Sequence, residues 1–159
     1  MALDPIDEFL VRWDHVRGMT REFLEHASDE LLDFTPHTGF MTVRDQAAHL
    51  AEVQGVYQEM FVDGAADFSH KARYTPAGSD RDDLLAALAA ADVELHRLLE
   101  ALRPEATSWT ADWYGNQLGV AAFGMVFVQH EALHHGQWAV HAHLSDSDVP
   151  IGWLLNWGL

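Results

Sequence analysis

FVQHEALHHGQWAVHAHL, residues 127–144, carries five of the chain's eleven histidines. Its apolar and histidine side chains recur at three- and four-residue steps, the period of one α-helical face. At about 100° per residue, His130, His134 and His141 fall within roughly 40° of one another. Phe123, Val126, Leu133, Gln137 and Leu144 lie in or beside that arc. The segment therefore reads as a helix over about 120–144 whose histidine stripe faces a core, with His135 and His143 pointing into solvent. Imidazoles buried among apolar side chains cost free energy unless they are hydrogen-bonded or ligate something. His130 and His134 stand one turn apart, which lets two imidazoles on one helix reach a common ion. The plainer reading of that spacing is two core-edge histidines satisfied by their neighbours.

Outward from this helix, three more long segments carry helical patterning. From about Asp4 to Ala27, Ile6, Phe9, Trp13, Val16 and Phe23 recur at helical steps, with Thr20 in the one longer interval. Ser28-Asp29-Glu30 starts a short turn, and FTPHTGF at 34–40 is a loop marked by Pro36 and Gly39. Thr42 is an N-cap for a second helix that ends near Asp63-Gly64. The linker at 64–78 has no periodicity. Ser79 or Asp80 caps a third helix, rich in alanine and leucine, that stops before Pro104. TSWTADWYGNQLG, residues 107–119, is a short hairpin or extended loop. Helices near 4–27, 42–63, 80–102 and 120–144 predict an all-α four-helix bundle, residues 1–159 forming one domain. Its expected core includes Trp13, Phe23, Leu50, Leu88, Leu95, Phe123 and Leu133, and its long connections permit a crossover. The tail IGWLLNWGL is helical or extended; if helical, Trp153 and Trp157 share a side and cap the bundle's end.

Composition narrows the function. The formal net charge of −16 argues against nucleic acid or an anionic membrane as partner, since both require basic patches. With no cysteine, disulfides are excluded, and any metal must be held by nitrogen and oxygen. The N-terminal MALDPIDEFLVRW has no basic region ahead of a long apolar run, so it does not read as a signal peptide. No apolar run approaches the roughly 20 residues that span a bilayer. A cytoplasmic protein is the expectation.

A third ligand must come from another helix, and the second helix offers His49. It shares a side with Gln46, Val53, Val56 and Met60, opposite Arg44, Glu52 and Glu59. AAHLAE at 47–52, followed by HEALHHGQ at 130–137, resembles the DinB/YfiT-like superfamily of four-helix metal-binding proteins. FTPHTGFMTVRDQAAHLAE resembles that family's lead into its second helix, and DVPIGWLL its exit after the last long one. The resemblance implies that His49, His130 and His134 are the three metal ligands and that His135-Gly136-Gln137 is the trailing element. It implies a divalent cation, zinc or nickel foremost and manganese or iron(II) also suited to imidazole. It further implies homodimers, and metal-dependent chemistry on a small molecule: transfer or isomerisation with a low-molecular-weight thiol, or hydrolysis. A non-enzymatic metal-binding or stress-associated protein is the competing class. Gln137 is expected to orient a ligand, and Tyr57, Trp113 and Tyr114 to line a pocket or pack in the core.

HEALH also fits the HExxH pattern of zinc peptidases. That reading lacks support elsewhere in the chain. The downstream HxxGxxH extension is missed by one place at both Gly136 and His141, and no sheet precedes it to hold an extended peptide. Glu131 is then a polar residue beside the site. His141 lies about 10 Å along the helix axis from His134 and is expected outside the ligand shell. Metal binding is expected to weaken as pH falls through the imidazole range near about 6.5.

Overall fold

A computed structural model describes residues 4–159; Met1, Ala2 and Leu3, the first residues of the stretch read as lacking a signal region, lie outside the described residues. Helix α1, Pro5–His26, starts where the Asp4 carboxylate accepts the Ile6 N–H at 2.8 Å and Pro5 fits the first turn. Helix α2, Asp29–Asp33, is a full short helix capped by Ser28, more than the turn expected there. Helix α3, Val43–Asp63, opens on a reciprocal capping box between Thr42 and Asp45. It closes on Gly64, whose φ of 70° is the left-handed conformation glycine adopts without strain. Helix α4 spans Arg81–Leu102 and α5 spans Val120–Leu144. The long helices thus fall within a residue of their expected bounds.

The connections carry more structure than the sequence suggested. The linker after α3 contains a 3₁₀ stretch, Phe68–Tyr74, whose period of three explains why no α or β pattern was visible. Tyr74 packs directly on Gly55, where a Cβ would meet its ring at 2.1 Å. Strands β1, Thr110–Trp113, and β2, Asn116–Gly119, form an antiparallel hairpin. Its tip is Tyr114-Gly115, both with positive φ, as a two-residue turn matched to strand twist requires. The tail is helical as α6, Ile151–Trp157.

Helix α1 lies along α5 and α3 along α4, and contacts of α3 with α5 and of α1 with α4 close the bundle. Its order around the axis is therefore α1-α5-α3-α4, which is a crossover arrangement. The apolar core falls into two clusters. One gathers Phe9, Trp13, Tyr57, Phe61, Leu95 and Phe123; the other gathers Phe23, Leu31, Leu50, Leu88, Trp138 and Trp153. Leu133, expected in the core, is 59% exposed. No helix among the described residues covers the side of α5 that it shares with Val140 and Leu144, which are also exposed. No described helix is long and apolar enough to cross a membrane.

Candidate metal centre

His49, His130 and His134 come together on the facing sides of α3 and α5. Each offers a ring nitrogen, and the three nitrogens lie within 4.8 Å of one another. The His130 and His134 Nε2 atoms are 3.3 Å apart. Two nitrogens about 2.05 Å from a tetrahedral ion stand roughly 3.3–3.4 Å apart, so this pair matches one edge of such a shell. The His49 ring centroid is 5.2 Å from that of His130 and 5.3 Å from that of His134. The donor set, three imidazoles with no thiol, suits a divalent cation of borderline hardness.

Electrostatics favours neutral rings. Burial, reinforced by His134 and His49, pushes His130 down to about 3. Burial and then His49 push His134 down to about 4. His49 is lowered by burial and by Lys71, with Glu52 opposing. Unprotonated imidazole is the form that ligates a metal. His134 is also held from behind. Its Nδ1 is 2.9 Å from Gln46 Oε1, and the Gln46 amide nitrogen donates to the Met41 carbonyl at 3.1 Å. Gln46, placed by the sequence on the same side as His49, carried no other signal of this contact.

The remaining expected residues separate. His141 is buried but outside the trio, its Nδ1 donating to the Gln137 carbonyl at 2.8 Å. His143 is exposed, as expected. Gln137 is exposed one turn beyond His134, and its side-chain hydrogen bond to that ring opposes the lowering of the His134 pKa. Tyr57 is buried with its ring centroid 5.8 Å from that of His130, and burial pushes its hydroxyl up to about 12. Phe68 and Trp113 pack edge-on against Tyr57, whereas Tyr114 at the hairpin tip is exposed.

One expectation fails here. His135 is 1% exposed, not solvated. Helix α6 folds back over it, bringing the Trp153 ring centroid to 4.7 Å, while the half-exposed Trp157 ring lies edge-on with its centroid at 6.0 Å. Glu131, expected as a polar residue beside the site, is buried there, hydrogen-bonded by the Thr20 hydroxyl and 3.2 Å from the Arg17 guanidinium. Thr20 donates its one proton to Glu131, so it accepts from His135 Nε2 at 2.7 Å. Arg17 also donates to Gln54 at 2.5 Å, lies 3.4 Å from Asp92, and stacks over Trp13 at 4.5 Å. This network escaped the sequence reading, although Arg17 and Thr20 sit on the apolar stripe of α1 defined by Trp13 and Val16, a place where a polar residue signals a buried partner.

Comparison with known proteins agrees with this architecture. The family model for the DinB superfamily matches residues 12–138. A DinB-like protein from Bacillus cereus ATCC 10987 is 20% identical, with a TM-score of 0.66 over 89% of this chain and 93% of that one. A DinB-like protein from Bacillus subtilis, YjoA, is 16% identical, with a TM-score of 0.64 over 94% of this chain and 98% of that one. No curated protein matches the sequence. The helical bundle, the histidine trio and a family match running from α1 into α5 lead to one assignment: the chain belongs to the DinB superfamily.

Proposed function

We propose that the protein binds one divalent cation through His49, His130 and His134, and that it is a metal-dependent enzyme acting on a small molecule. The observation that carries this reading is the convergence of three neutral ring nitrogens, two of them already at a tetrahedral edge length. Without a shared cation, these half-buried rings leave lone pairs facing one another, which costs free energy. Zinc or nickel suits the all-imidazole set best, with manganese and iron(II) as alternatives. The acidic exterior supports the same reading, because a net charge of −16 raises the local concentration of cations.

Held by three neutral ligands, the cation keeps its full charge and supplies Lewis acidity toward water or an external thiolate. The chain itself contributes orientation. The Tyr57 hydroxyl stays protonated at neutral pH and can donate a hydrogen bond to a small anionic ligand. Glu131 is engaged by Arg17 and Thr20, which weighs against a peptidase role as general base. Transfer of a low-molecular-weight thiol, or hydrolysis, in the cytoplasm is the reaction class we favour. Turnover of a thiol-transfer or ester substrate that disappears on chelation and returns with zinc or nickel tests it. Stoichiometric metal binding without any such turnover favours a non-enzymatic metal-binding role.

We also propose a homodimer. A groove of about 930 Å³ runs between α5 and α6, lined by Val140, Leu144, Ile151, Leu154 and Leu159. Helix α5 has one acidic residue, Glu131, and it is buried, and Asp148 is the one acidic side chain lining the groove, so this face carries little of the chain's negative charge. Two such faces meet with less repulsion than any acidic pair would. Light scattering should give a dimer mass for the native chain and a monomer mass for Leu144→Asp; a concentration-independent monomer for the native chain contradicts the proposal.

A further inference from the structure

Gln46 lies one turn before His49 on α3 and is 3% exposed. Its side-chain amide has two neighbours of fixed character. The Met41 carbonyl, which can only accept, lies 3.1 Å from the amide nitrogen. The amide must therefore point its N–H₂ at Met41, which leaves Oε1 facing His134 Nδ1 at 2.9 Å. Turning the amide over would set two carbonyl oxygens against each other. Oε1 has no proton to give, so His134 Nδ1 must carry one. The capping box of Thr42 and Asp45 fixes the first turn of α3, and with it the Met41 carbonyl that decides the matter.

We infer that Gln46 is a positioning residue that holds His134 in the Nδ1–H tautomer and keeps the Nε2 lone pair aimed at His130 and His49. A free neutral imidazole favours the opposite tautomer, in which Nε2 is protonated and cannot ligate. One helix thus supplies both a ligand, His49, and the group that prepares a second ligand on α5. Partners of this kind are worth about 10- to 100-fold in metal affinity. The inference rests on the metal-binding proposal, but its first readout does not need a metal.

Two variants separate the possibilities. Gln46→Met removes both hydrogen-bonding functions at nearly the same length, and Gln46→Glu keeps an acceptor. Long-range ¹⁵N–¹H spectra of the metal-free protein report which nitrogen of His134 bears the proton. His141, whose Nδ1 donates to a backbone carbonyl, is the internal control. Competition with a chromophoric chelator reports zinc affinity. The expected result is Nδ1–H at His134 in the native chain and in Gln46→Glu, which keeps the acceptor toward His134 but gives up the donor to Met41. Gln46→Met should lose the Nδ1–H preference and bind zinc 10- to 100-fold more weakly. Protonation at Nε2 in the native metal-free chain overturns the inference, as does a Gln46→Met protein with unchanged tautomer and affinity. If Gln46→Met also disturbs His141, the fold is damaged and the Gln46→Glu arm decides: loss of Nδ1–H there overturns the inference, retention supports it. A native chain that has the Nδ1–H tautomer but binds no zinc refutes the metal reading alone and leaves the role of Gln46 standing.

Discussion

Two polar clusters sit on successive positions of α5. His130 and His134 face α3, and Glu131 and His135, each one residue on, face α1. Both pairs are spaced one turn apart and lie near the junction of the two apolar clusters. They differ in what neutralises them. The α1 side brings its own cation: Arg17 lies against Glu131 and Asp92, and Thr20 links Glu131 to His135. The α3 side contributes only His49 and Gln46, so its nitrogens converge without a protein cation between them. A cavity of about 10 Å³, lined by residues of both sides including Gln54, His130 and Glu131, has room for about one water. The first cluster is neutralised from within the chain, and the second is, on the proposed reading, a seat for an ion from outside.

The comparison breaks most visibly at Arg17. Arg17→Met leaves the Glu131 carboxylate buried without its partner, a loss of about 3–5 kcal/mol. For a chain of this size that lowers the Tm by roughly 6–20 °C. Adding Glu131→Gln should recover much of the loss, because removing both charges is far milder than removing one. Thermal unfolding of the single and double variants checks this. A Tm for Arg17→Met within a few degrees of the native value would mean the network does not hold the fold.

The metal side should behave in the opposite way. His134→Ala is expected to weaken zinc binding by at least about 100-fold, while moving the metal-free Tm less than Arg17→Met does. His141→Ala, buried but outside the trio, should change zinc affinity far less than His134→Ala, since it removes no ligand and its Nδ1 is engaged by the Gln137 carbonyl. Titration of both variants under the same chelator competition decides it, and equal loss in the two would mean that the wrong histidines are assigned.

The split between these clusters was only half legible in the sequence. Helix bounds followed from caps and periodicity: Asp4, Thr42 and Gly64 are local signals that tertiary packing had no reason to override. His49, His130 and His134 were legible because helical spacing and the family resemblance agree on them. His135 was misjudged because a helical wheel gives direction but not what lies there, and α6 returns over that side from the far end of the chain. Leu133 failed for the converse reason, since its side of α5 has no neighbour to bury it. The HExxH pattern around Glu131 says nothing of its partner, because Arg17 lies more than a hundred positions away.

Acid sharpens the distinction with a smaller effect. Burial holds His130 at about 3 and His134 at about 4, below the ordinary imidazole value of about 6.5. Between those limits the unfolded chain binds more protons than the folded one, so the metal-free protein loses stability as pH falls through that window. While the chain remains folded, His130 and His134 stay unprotonated to well below 6.5, and His49 is lowered in the same direction. Zinc release should therefore have its midpoint roughly a unit or more below 6.5, lower than the sequence alone suggested. A midpoint at 6.5 would mean the rings are more open to water than their burial indicates.

The most direct test of the contrast is the metal content and coordination of untagged protein, purified without added metal and then dialysed with one equivalent of zinc. The expected result is one tightly held ion per chain, an absorption-edge spectrum fitted by three imidazole nitrogens at about 2.0–2.1 Å, and loss of that ion in a His130→Ala/His134→Ala variant that still folds. Zinc that dialyses away from the native chain, or that remains bound after both histidines are removed, would contradict the account.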